Sequence, residues 1–126
     1  MPRMKSYVLP VLAIMAMAAS PSAAHDETFA KGPVFTDFGP HAKIEADMKI
    51  PKGTQFAISY DTAKAGDTGG INRTLETAAR FMNMHVAAGV PQDDIKLAVI
   101  VHGKAVFDMT HDKAYGAKYD GAKNAN

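Results

Sequence analysis

The chain has 126 residues, 47% of them hydrophobic, with 14 basic and 13 acidic side chains and a formal charge of +1. That length allows one small domain, and the balanced charge argues against nucleic acid or another charged polymer as a partner. The sequence has no cysteine, which excludes disulfides, thiol nucleophiles, thiolate metal sites and persulfide carriage by this polypeptide.

Residues 1–24 read as a signal peptide. Arg3 and Lys5 give a positive start, Tyr7 to Ala19 is apolar, and Ser22-Ala23-Ala24 supplies small residues for cleavage after Ala24. A membrane anchor needs about 20 apolar residues, and this run is shorter and broken by Pro10 and Pro21. The expectation is a periplasmic or secreted protein that meets the membrane only through its uncleaved signal segment; a retained anchor is the alternative. Loss of Arg3 and Lys5 leaves 12 basic residues against 13 acidic ones.

Residues 25–54 are loop-rich, punctuated by Gly32, Pro33, Gly39, Pro40, Pro51 and Gly53. Phe29, Val34, Phe35 and Phe38 are expected to pack this segment onto the domain, with a short strand around Ala42–Ala46. The α/β domain is expected over 55–126. Gln55 to Tyr60 reads as its first main strand, ending in Asp61, and Thr62 to Gly70 as a glycine-containing loop.

A long helix is expected from Ile71. Arg73, Glu76, Arg80 and Asn83 recur at spacings of three and four and share a polar face, opposite a stripe of Leu75, Ala78, Met82 and His85. Gly89 suits the left-handed residue after the last turn, and Pro91 blocks continuation. Leu97 to Val101 is an unbroken apolar run, which predicts a strand covered on both faces in a parallel sheet. Strand, helix and strand make a βαβ unit whose crossover is expected to be right-handed. Parallel strands put Asp61 and His102 at one edge of the sheet, the carboxyl edge outside which open α/β sheets bind ligands. A helical turn is expected over Ala105–Met109, and a short helix over Asp112–Tyr119 capped by Asp112. Two strands are few for a sheet of this kind. Either another chain completes it, or the polypeptide stops before its fold is finished.

The run from Asn72 to His85, then Ala88-Gly89-Val90-Pro91, then Lys96 to Ala105 with His102-Gly103, resembles the DsrE/DsrF-like sulfur-relay family, in particular its exported branch. Gly32-Pro33-Val34 and Phe56–Asp61 fit the same pattern, so the resemblance covers roughly Phe29 to Asn126. It implies a flavodoxin-like three-layer fold with a parallel sheet, assembled with itself or with cysteine-bearing homologues. It also implies a role in sulfur relay or sulfur oxidation. Members of this branch usually continue into a further helix and a strand ending in Cys-Gly, so this chain reads as C-terminally incomplete. Without that carrier cysteine, the expected role is a non-catalytic binding or partner subunit.

Several residues carry candidate chemistry. His102, at a strand end before Gly103, can bind an anion or transfer a proton near neutral pH; closing the strand end through a backbone bond is the alternative. Gly69 and Gly70 before Asn72 and Arg73 place backbone N–H groups and a guanidinium at a helix start, a cradle for a small anion such as sulfite, thiosulfate or phosphate; a flexible loop with a solvated Arg73 is the alternative. That stretch lacks the nucleotide-binding patterns. Asp61 either faces the same cleft or caps its own loop. His85 reads as a core-edge histidine, and a metal site would need it to converge with His102 and a carboxylate. Met82, Met84 and Met109 read as packing residues, not copper ligands. No cofactor and no nucleophile–base pair is expected. The other readings are a small-anion or metal-binding module using the His102 cleft, and a truncated product without independent activity.

Overall fold

The computed structural model describes residues 29–126; the signal-peptide reading lies outside them. Strands β1 (Phe29–Ala30) and β2 (His41–Ala42) form a minimal antiparallel pair. The strand expected over Ala42–Ala46 is thus confined to its first residue, because Lys43 to Lys49 lies exposed with nothing to pair against. The βαβ unit follows as β3 (Phe56–Thr62), α1 (Arg73–Ala87) and β4 (Ile95–Val101). β3 and β4 are parallel, in register from Phe56↔Ile95 to Thr62↔Val101. A 3-10 turn at Gln92–Asp94 leads into β4, and a second spans Gly103–Met109 before helix α2 (Asp112–Lys118).

The ends of α1 follow from local chemistry. Its cap is Asn72, whose Oδ1 accepts from the Thr74 N–H at 2.9 Å, so the helix proper begins after Ile71. At the other end Gly89 has φ +92°. Its N–H donates to the Val86 carbonyl and that of Val90 to His85, both at 3.0 Å, a Schellman termination. Val90 is buried beneath it. The cap of α2 is His111, not Asp112: His111 Nδ1 accepts from the Ala114 N–H at 3.3 Å.

One expectation about faces is corrected. β4 is not covered on both sides: Lys96, Ala98 and Ile100 are exposed, while Leu97, Val99 and Val101 are half-buried. Helix α1 lies over one face, and the other, with Ala57, Ser59 and Asp61 from β3, is open. The apolar run reflects side-chain chemistry, and nothing among the described residues covers its second face.

The polar stripe of α1 leaves Arg73 exposed but turns inward at Asn83. Asn83 is fully buried. Its Oδ1 accepts from the Val34 and Phe35 N–H groups at 3.2 and 2.9 Å, and its Nδ2 donates to the carbonyls of Phe35, Phe38 and Gly39 at 3.0, 3.3 and 3.0 Å. Arg80 Nε donates to the Pro40 carbonyl at 2.7 Å. At Arg80 and Asn83 the stripe receives the main chain of residues 34–40. That approach needs glycine at position 39, where φ is +67° and a Cβ would lie 2.7 Å from the Arg80 nitrogen. Phe35 and Phe38 stack over the docked loop at 5.1 Å between centroids.

Candidate functional site

Because β3 and β4 run parallel, their carboxyl ends emerge side by side. The His102 N–H donates to the Thr62 carbonyl at 3.0 Å, carrying the ladder one step past the strands. On the open face His102 Nε2 meets Asp61 Oδ1 at 3.1 Å, with both side chains more than half exposed. The two residues that the parallel topology assigns to one edge therefore form a pair. Gly103 turns the chain away with φ +57°, where a Cβ would sit 3.0 Å from the Ala63 carbonyl oxygen. The Ala105 N–H then donates to that same oxygen at 3.1 Å.

Beside this pair lies a polar cleft of about 560 Å³, walled by the end of β3, the following loop and the first turn of α1. Asp61, Lys64, Asp67 and Arg73 bring charge to it, and Tyr60 and Thr77 bring hydroxyls. Burial pushes the Tyr60 phenol above its ordinary pKa, so it remains a neutral O–H donor at physiological pH. Of the residues singled out from the sequence, Asp61, Asn72 and Arg73 line this cleft, with His102 joined to it through Asp61.

The glycine-amide cradle is corrected. The Gly69 N–H donates to the Tyr115 hydroxyl at 3.1 Å, Gly70 to the Asp67 carbonyl at 2.8 Å, and Asn72 to Asn126 Oδ1 at 2.6 Å. These donors are satisfied internally, and Gly69 and Gly70 do not line the cleft. Asn72 is itself buried, its Nδ2 donating to the Lys64 carbonyl at 3.0 Å and to Asp108 Oδ2 at 2.7 Å. What remains open to an anion is the exposed Arg73 with Lys64.

Asp108 is the residue that sequence reasoning missed. It is 1% exposed, and its Oδ2 also accepts from the Gly66 N–H at 2.8 Å. Its Oδ1 is buried without a partner among the described residues. Together Asp108, Tyr115 and Asn126 hold the loop that forms the cleft wall. The signal for Asp108 was a single carboxylate inside the apolar run Val106-Phe107-Asp108-Met109.

His85 belongs elsewhere. Its Nδ1–H donates to the Phe81 carbonyl at 2.8 Å, and its ring stacks on Phe81 at 3.9 Å and meets Phe56 edge-on at 4.6 Å. Phe56 and Asp61 are five strand positions apart, about 16 Å at 3.3 Å per residue, so His85 and His102 do not converge. Among the described residues no group of three or more His, Asp or Glu side chains is placed to hold a metal ion, and no helix is long and apolar enough to cross a membrane.

No family model, curated protein or solved structure matches the chain. Fold and site together define a mixed α/β protein with a small parallel sheet and a polar cleft at its carboxyl edge.

Proposed function

We propose that this is a DsrE/DsrF-like protein with a flavodoxin-like ground plan. In this reading it serves sulfur relay or sulfur oxidation in the periplasm as a non-catalytic binding or partner subunit. The observation that carries the reading is the Asp61–His102 pair beside a cleft containing Lys64 and Arg73, in a chain without cysteine. Imidazole, ammonium and guanidinium at one sheet edge suit a small oxyanion such as sulfite or thiosulfate. A cysteine-bearing relative then carries the sulfur, because this polypeptide has no thiol to do so.

Titration calorimetry with thiosulfate and sulfite tests the binding step. A charge-assisted hydrogen bond contributes about 1.5–3 kcal/mol, so Arg73→Ala is expected to weaken binding by about 10- to 100-fold. Equal affinity of the variant and the wild type refutes the cleft as the anion site. A second reading, an anion-binding module without a relay partner, rests on the same cleft. It is preferred if the protein binds the anion but fails to co-purify with a cysteine-bearing homologue.

A further inference from the structure

We propose that β4 is the seam of a two-fold homodimer, pairing antiparallel with β4 of a second copy to make one four-stranded sheet. The inference refines the assembly part of the reading above and rests on β4 alone, so its failure leaves the anion cleft untouched.

The backbone supplies the first argument. Among the described residues β4 pairs with β3 on one side only. The His102 N–H points to β3, and amides alternate along a strand, so those of Ile100, Ala98 and Lys96 point there too. The N–H and C=O groups of Leu97, Val99 and Val101 face the free edge. A flat edge of this kind accepts another strand unless charges, proline or a bulge guard it. Lys96 is the one charged residue in β4.

Side chains supply the second. An apolar cleft of about 370 Å³ takes Leu97 and Val99 from β4, Leu75 and Met82 from α1, and Phe35 and Phe38 from the docked loop. It takes nothing from β3, so it opens along the free edge. On the opposite face Ile100 is 56% exposed. An incoming strand sets apolar cross-strand neighbours beside Leu97 and Val99 on the α1 face and flanks Ile100 on the other.

Charge selects a second copy in antiparallel orientation. Centring the pairing on Ala98 overlaps all seven residues of β4. Leu97 then lies opposite Val99 of the second copy, and Lys96 opposite its Ile100. Ile100 is in register with Asp61 on β3, and both Lys96 and Asp61 face the open side of the sheet. Lys96 of each copy is thereby two strand spacings, about 10 Å between backbones, from Asp61 of the other. Their side chains span that gap, and Asp61 keeps an oxygen beyond the one bonded to His102. The symmetry produces the contact twice, as a two-fold interface must.

Sedimentation and disulfide trapping test the seam. Ala98 meets its own copy as a non-hydrogen-bonded pair with about 4.5 Å between Cα atoms, within disulfide reach. The chain has no other cysteine, so Ala98→Cys is expected to give a covalent dimer on mild oxidation. Ser59→Cys, on the same open face but one strand inward, is expected to cross-link far more slowly. The wild type is expected to sediment as a dimer, and Ala98→Lys, which sets two like charges face to face, to weaken it at least about tenfold. A monomer at 100-micromolar concentration (about the top of a sedimentation series), equal cross-linking of the two cysteine variants, or association only with a different protein each overturns the proposal.

Discussion

Truncating Asn83 to alanine removes the amide that docks residues 34–39 onto α1. Nδ2 carries two hydrogens, so the shorter contacts to Phe35 and Gly39 at 3.0 Å are full bonds and the 3.3 Å contact to Phe38 is shared. With the two bonds to Oδ1, Asn83→Ala orphans two N–H groups and two carbonyls. Each buried group left unmade costs about 1–3 kcal/mol. The loop limits the total by lifting off and admitting water, at the expense of the stacked Phe35–Phe38 pair above it. The net loss is expected to be about 3–5 kcal/mol, the upper end for a single substitution and a large fraction of the 5–15 kcal/mol typical of a domain. Urea unfolding with linear extrapolation measures it, and hydrogen exchange at Val34 and Phe35 reports where it arises. Asn83→Leu, which keeps the volume, is expected to lose nearly as much. A loss below about 1 kcal/mol with both amides still protected would refute the argument and assign the docking to apolar packing.

Asp108→Ala loses the bonds to Gly66 and Asn72 and is expected to cost about 2–4 kcal/mol. Asp108→Asn is expected to cost less than half of that, because its carbonyl oxygen accepts both bonds and the other oxygen has no partner among the described residues to lose. Equal urea midpoints for the two variants would mean that the charge itself holds the cleft loop. Asp61→Ala and His102→Ala are each expected to change stability by less than about 1 kcal/mol in thermal melts, since the pair is more than half exposed. A larger loss would make the pair an anchor of the turn at Gly103.

The sequence by itself determined the βαβ unit, the stop of α1 at Gly89 and Pro91, and the placing of Asp61 and His102 at one sheet edge. Each depends on spacing along the chain or on the rule that parallel strands share a carboxyl edge. Asp108 and Tyr115 had no such mark, although they position the cleft loop. The tertiary structure alone decided where polar groups spend their hydrogen bonds. Asn83 reads from its spacing only as part of a polar face, yet its partners lie 44 to 49 residues upstream. The amides of Gly69 and Asn72 read as an open cradle, yet they are claimed by Tyr115 and Asn126, 46 and 54 residues downstream. A side chain is equally polar facing water or facing a returning segment of main chain, so local pattern cannot separate the two. The same holds for Leu97 to Val101, whose apolar run records a need for cover while the packing leaves one face and one edge for something else to supply it.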